Sequence, residues 1–472
     1  MTTAELIPTD TRCDLIRMER TNMVTKMEDR VKVDLVAMSK MILGHLQQCD
    51  DIPWPYTDEV ISKLAVQFNQ GALVQYQYGE IERAEILCRA EIELFAKLST
   101  SGANRGLCLA SMVAPYVNLA RIYGQKGDVE ESLNIFENVY RLGVQRQDLS
   151  ILGHQIQVGD GPNMFAASGG CQKLMLSCRV IETARVLQTI EDYPALLALV
   201  EENEVLPEYQ DNFFKQYLLE VRSRALLNTG RYEEALSTFE ECCRLMSTTN
   251  TDRIVAHLFL SQLYREWGRD DLARDTLDKL EEYFAAIEHY GRKLPILRQI
   301  AYRVALERHL MGDDEKAVEP AQKAFQWCRE LSDQPGCIKT AILLLRTSAR
   351  TNGHYEPQRH WYDELQQIAS NTFFRLERAC AYWELGLSTR VVEPDEERAR
   401  ESACELLQLS YDLYRSVPFV DSLKSCVAVK QSLDSRVSRK RATGEAIAGS
   451  AEIDAIFDAL MKYAPSSFAA SQ

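Results

Sequence analysis

Six glycines, Gly79, Gly127, Gly230, Gly268, Gly312 and Gly353, stand at the same point of a recurring pattern. A stretch with helical apolar periodicity runs into Gly, a short polar turn follows, and a second such stretch begins with a small residue near its start. Two clear copies are Tyr116, Leu119, Ala120 and Tyr123 before Gly127, and Leu260, Ser261 and Tyr264 before Gly268. Gly ends a helix cheaply because it accepts the left-handed turn conformation. Small residues such as Ala84, Ala120, Ala235, Ala273 and Ala317 let helix axes approach. Large ones such as Tyr123, Phe136, Phe239 and Tyr264 fill the space between hairpins. One hairpin cannot bury its apolar face alone, so copies must stack.

The pattern predicts helix pairs over 60–78 with 81–98, 106–125 with 129–142, and a weaker 171–189 with 194–202. It continues with 213–228 and 232–246, 253–267 and 271–287, 294–310 and 315–331, a pair turning at Gly353, and 373–388 with 395–415. A closing helix spans 419–432. The expected fold is an all-α, right-handed solenoid of about seven or eight hairpins. Its expected parts are an N-terminal segment with a leading helix (1–55), the solenoid (56–432), a flexible basic linker (433–451), and an amphipathic helix with its tail (452–472).

Composition narrows the function classes. A net charge of −15 argues against general nucleic-acid binding, since phosphate contact needs a basic face. The 13 Cys form no Cys-x-x-Cys pair, and many lie in apolar helical stretches, as a reduced intracellular protein would have them. The first fourteen residues carry charges and Pro8 where a signal peptide needs an apolar core. No apolar run approaches the ~20 residues of a membrane span. A cytoplasmic location is expected, with a nuclear one also open.

The stretches 118–128 (Asn-Leu-Ala-Arg-Ile-Tyr-Gly-Gln-Lys-Gly-Asp) and 230–239 (Gly-Arg-Tyr-Glu-Glu-Ala-Leu-Ser-Thr-Phe) resemble the tetratricopeptide repeat family. The resemblance covers roughly residues 60–415 and departs from the family in spacing. That family repeats about every 34 residues. Here Gly230 to Gly268 is 38, Gly268 to Gly312 is 44, Gly312 to Gly353 is 41, and Gly79 to Gly127 is 48. The resemblance implies a superhelix that binds peptides or proteins, with the first helix of each hairpin on the concave face. Asn118, Arg121, Arg222, Arg265 and Arg346 lie on such helices and are candidates to hold a carboxylate or acidic peptide. The plainer reading is that they pair with neighbouring Glu residues.

Two stretches break the pattern. Between Gly127 and Gly230 lies a Gly-rich segment, 153–171, in which Gly159 and Gly161 lack the remaining glycine and lysine of a phosphate loop. Ser168-Gly169-Gly170 could present amides to an anion at a helix start, and His154 with Cys171 could form a nucleophilic pair. The plainer reading is a long loop folded over the array. After the last hairpin, Arg436-Val437-Ser438-Arg439-Lys440-Arg441 is basic, readable as a linker or as an import signal. Beyond it, Ile453, Ile456, Phe457 and Leu460 make one apolar stripe at i, i+3, i+4 and i+7. A helix this short must dock, either on its own array or on another protein.

No His-Glu-x-x-His, Gly-x-Ser-x-Gly, complete P-loop or dinucleotide fingerprint occurs, and His354 and His360 do not share a helical face. The expected function is a non-catalytic scaffold or adapter. It needs no cofactor or metal and binds protein or peptide partners, with neither nucleic acid nor membrane among them. A regulator responding to a small peptide or metabolite is the alternative, and an enzyme using the 153–171 loop the remote one.

Overall fold

A computed structural model describes residues 58–100, 105–145, 176–245, 250–288, 295–351, 355–417 and 419–441. Among these residues there are seventeen α-helices and no strand, an all-α solenoid of helical hairpins. In chain order they are α1 (Asp58–Gln77), α2 (Ile81–Thr100), α3 (Arg105–Lys126), α4 (Val129–Gln145), α5 (Thr183–Thr189), α6 (Tyr193–Asn203), α7 (Asn212–Asn228), α8 (Tyr232–Leu245) and α9 (Asn250–Glu266). They continue as α10 (Asp270–Glu288), α11 (Pro295–Leu310), α12 (Asp314–Glu330), α13 (Gln334–Thr351), α14 (Tyr355–Asn371), α15 (Arg375–Ser388), α16 (Glu396–Arg415) and α17 (Val420–Arg441). One π-helical turn, Cys178–Glu182, leads into α5.

The punctuation acts as expected. Gly79, Gly127, Gly230, Gly268 and Gly312 have φ between 72° and 86°. At each, the glycine N–H bonds back three residues and the next N–H bonds back five, for example Gly230 to Leu227 and Arg231 to Leu226. That pair of bonds is the Schellman arrangement, which satisfies carbonyls the helix end would leave bare. The same bonds occur at Glu191 (φ 60°) and Ser332 (φ 55°), which are not glycine. Their turns were invisible to a reading keyed on Gly, although each closes a helix in the same way. Gly353 lies outside the described residues.

The described chain forms two compact units, where one array over 56–432 was expected. One holds α1 to α5 together with residues 417–424. Its core includes Phe68, Leu87, Phe95, Tyr116 and Phe136, all fully or almost fully buried. The first helices α1 and α3 meet at Asn69 and Asn118, and Ser132 of α4 donates to the Ala120 carbonyl at 2.7 Å. Gly124 is needed for close approach, since a Cβ there would lie 2.7 Å from a Val186 methyl. Within this unit Val417 and Phe419 are buried, the Phe419 ring lies 5.4 Å from Tyr76, and Lys424 Nζ lies 2.7 Å from Glu191.

The other unit holds α6 to α16 and residues 425–441 of α17. Its core runs through successive hairpins: Leu226, Ala235, Phe239 and Phe259, then Leu280, Ile300 and Trp327, then Ile338, Leu344, Leu365 and Leu385. Arg308, wholly buried, is held by Asp278, Glu281 and Asp313. The linker expected from 433 is corrected. The final helix continues to Arg441, because Arg and Lys are good helix formers and cations near a helix C-terminus are favoured by the dipole.

Candidate functional site

The five candidates on first helices are not gathered into one cluster. Asn118 and Arg121 stand on α3 of one unit; Arg222, Arg265 and Arg346 stand on α7, α9 and α13 of the other. Asn118 is nearly buried, donates to Asn69 Oδ1 at 2.5 Å and accepts from Arg121. Every one of the four guanidiniums meets a carboxylate of the chain. Arg121 donates to both Glu182 oxygens at 2.8 and 2.5 Å. Arg222 reaches Glu204 at 3.3 Å, an exposed pair. Arg265 reaches Glu307 at 2.9 Å and Glu266 at 2.8 Å. Arg346 places Nε and Nη2 at 3.0 and 2.7 Å from one Glu384 oxygen.

Three of these pairs share a design. Arg121, Arg265 and Arg346 each reach from one first helix to a buried Glu on the next: Glu182, Glu307 and Glu384. Burial pushes the Glu182 carboxyl up, but the charges and hydrogen bonds of Arg121 and Arg185 outweigh it and hold it at about 2. The partners are 61, 42 and 38 residues away. No local sequence signal joins residues that far apart.

Between α13 and α15 the contacts keep one register. Thr372 Oγ1 donates to Gln334 Oε1 across a separation of 38 residues, Lys339 faces Glu377 at 3.8 Å, and Arg346 meets Glu384. α11 runs parallel beside α13, for Arg298 near its start pairs with Asp333, and Arg350 at the far end of α13 points to the His309 carbonyl.

This neighbourhood holds residues that the sequence reading did not select. On α13, Lys339, Ile342, Arg346 and Arg350 fall at i, i+3, i+7 and i+11, one stripe of the helix. On α11, half-buried Tyr302 packs on the core and lies near both Lys339 and Arg346, and Arg303 beside it is exposed. Burial alone would lower the Lys339 ammonium, but Glu377 outweighs it and raises it. The stripe spacing was the signal that could have found these residues. It is weaker than an Arg on a repeat helix, because mixed cationic and apolar stripes are common on exposed helices.

The arrangement offers cations, a phenol and apolar surface. Among the described residues no group of three or more His, Cys, Asp or Glu is placed to hold a metal ion. No described helix is long and apolar enough to cross a membrane. The C-terminal candidates Ile453, Ile456, Phe457 and Leu460, the whole 153–171 segment with His154 and Cys171, and His354 lie outside the described residues.

Two family models, both described as tetratricopeptide repeat, match residues 116–150 and 218–246. The comparison with curated proteins found no match. Among solved structures the chain is similar to a Signal Transduction ATPase with Numerous Domains (STAND) protein with a tetratricopeptide repeat sensor from Pyrococcus horikoshii. That match has 12% identity and a TM-score of 0.39, covering 86% of this chain and 69% of that one. Another similar structure is Naa15/Naa10 bound to HypK-THB, at 14% identity and TM-score 0.29, covering 97% and 83%. A circular tandem repeat protein with novel repeat topology matches at 13% identity and TM-score 0.21, covering 96% and 97%.

Proposed function

We propose that this chain, a tetratricopeptide-repeat-like helical repeat protein, is a non-catalytic scaffold that holds a segment of a partner protein against its first helices. Repeats of this kind support protein interaction in general. The observation that carries the finer reading is the surface of α11, α13 and α15. There the chain keeps exposed cations and a half-buried phenol beside a well-packed core. Lys339, Arg346 and Arg350 are each half or more exposed there, where a partner segment can reach them. The scaffold acts in the cytoplasm as a subunit of a larger assembly, and the stripe Ile453, Ile456, Phe457 and Leu460 provides a second, helix-in-groove contact.

The test is hydrogen exchange on the full chain with and without a pool of synthetic peptides of mixed charge. Slower exchange in α11, α13 and α15 on peptide addition is expected. Slowing confined to second helices such as α12 and α14, or no peptide binding at all, would overturn the reading.

A further inference from the structure

The side chains around α13 are layered by charge. Glu377 and Glu384 are the buried members of their pairs, with 18% and 8% of their side chains exposed. Their cations are the outer members, Lys339 at 58% and Arg346 at 51%. Arg350, 59% exposed, touches Asp314 only at 4.0 Å, and that carboxylate is itself buried against His309. Arg303 on α11 is exposed, and no carboxylate within ion-pair distance of it is found among the described residues. Glu307, the one acid of α11, is buried and engaged by Arg265. The negative charge of this face therefore lies beneath and the positive charge on top. In a chain of net charge −15, four cations facing solvent over four more deeply placed carboxylates form a local reversal of sign at the surface.

We propose that this face recognises an acidic segment of a partner protein, an inference that rests on the scaffold reading above and specifies its ligand. Lys339 to Arg350 spans about 16 Å along α13 at the helical rise. An extended chain covers that distance in about five residues. Arg303 widens the positive strip on the side of α11. Tyr302 and Ile342 supply the apolar floor that a peptide backbone and its non-acidic side chains need. Salt bridges at such a surface are individually weak, so recognition comes from several carboxylates engaged together. A nucleic acid is the other polyanion to consider. The strongly negative remainder of the chain repels a long phosphate backbone, and the cationic strip is too short to offset it, whereas a short acidic protein segment needs only the strip.

The experiment uses the full chain and fluorescein-labelled decapeptides read by anisotropy. One is rich in Asp and Glu, one rich in Lys, and one neutral, with the same aromatic residue in each; a single-stranded oligonucleotide is the fourth probe. The acidic peptide should bind tightest. Its affinity should fall as salt shortens the screening length from about 10 Å to about 3 Å. The double variant Arg303→Glu with Arg350→Glu should weaken it at least about tenfold. Lys339→Gln should weaken it less. Arg329→Gln, at an exposed cation on the second helix α12, should leave it unchanged. Circular dichroism of each variant should match the parent. The inference is overturned if the acidic peptide binds no tighter than the neutral or basic one, if the oligonucleotide binds as tightly, or if the double variant is without effect. Binding of neutral peptide alone leaves the scaffold reading standing and removes this one. Binding of no probe removes both.

Discussion

Arg121 with Glu182, and Arg346 with Glu384, are the same device in the two units: a guanidinium on one first helix holding a buried carboxylate on the next. They differ in what is left over. Glu182 is gripped by two arginines, Arg121 and Arg185, both largely covered, and the positive charge there is consumed by the fold. Glu384 is gripped by one arginine whose side chain stays 51% exposed, with Lys339 and Arg350 on the same stripe. An Arg on an inner helix is thus not by itself a mark of ligand binding. Cation left facing solvent above its buried acid is the better mark, and of these two regions the second has it.

Arg121→Met is the strongest way to break this comparison. It leaves Glu182 buried with Arg185 alone and should cost about 3 kcal/mol, seen as a lower urea midpoint and faster exchange in α3. A loss below about 1 kcal/mol would mean that Arg185 suffices. The pH dependence has a definite sign. Glu182 is held below its unfolded value of 4.5, so its contribution is complete above pH 4.5 and is lost as pH falls toward about 2. Midpoints across that window should slope less in the variant.

Glu91 is the counter-case within the same unit. It is 1% exposed on α2, neither carboxyl oxygen has a hydrogen-bond partner, and burial raises it well above its usual range. A raised carboxyl favours folding below its unfolded value and loses that contribution as pH rises through the folded one. Glu91→Leu should therefore stabilise by about 2 kcal/mol at neutral pH, with a smaller gain near pH 4, checked by thermal melts at both. Equal gains at both pH values would show that the charge is not the cost.

Arg346→Met should cost about 1.5 kcal/mol in denaturant, less than Arg121→Met because its guanidinium is half in water. If the two losses were equal, the distinction between covered and exposed cation would collapse. The smallest effect belongs to Ser332→Gly, expected to stabilise by about 1 kcal/mol by relieving a left-handed conformation that glycine adopts freely. An unchanged melting temperature would mean that the serine is not strained there.

The hairpins were legible because each carries local signals: apolar periodicity, small residues, and a Gly where the chain must turn left-handed. Where that turn falls on Glu191 or Ser332 the signal vanishes, since the backbone conformation is fixed by two hydrogen bonds and not by residue type. The basic run 436–441 was misleading in another way. Its composition suggested a linker, but Arg and Lys extend a helix readily, and Val420–Arg441 is continuous. At the candidate site, Arg121, Arg265 and Arg346 were rightly placed on first helices. Their engagement by Glu182, Glu307 and Glu384 depends on which helix stacks beside which, and that is decided by packing across tens of residues.

The constant register between α13 and α15 sets rules for how such a chain can change length. Gln334, Lys339 and Arg346 each find their counterpart one repeat further on. Inserting or deleting one residue within α15 would rotate every later side chain by about a third of a turn and strand all counterparts beyond the change. Adding or removing the whole interval of 38 residues would instead keep every later helix in phase. A chain built this way grows or shrinks by complete repeats far more easily than by single residues. The unequal glycine intervals elsewhere include length taken up by the helices themselves: α2 and α3, between Gly79 and Gly127, have 20 and 22 residues, where α8 and α9, between Gly230 and Gly268, have 14 and 17.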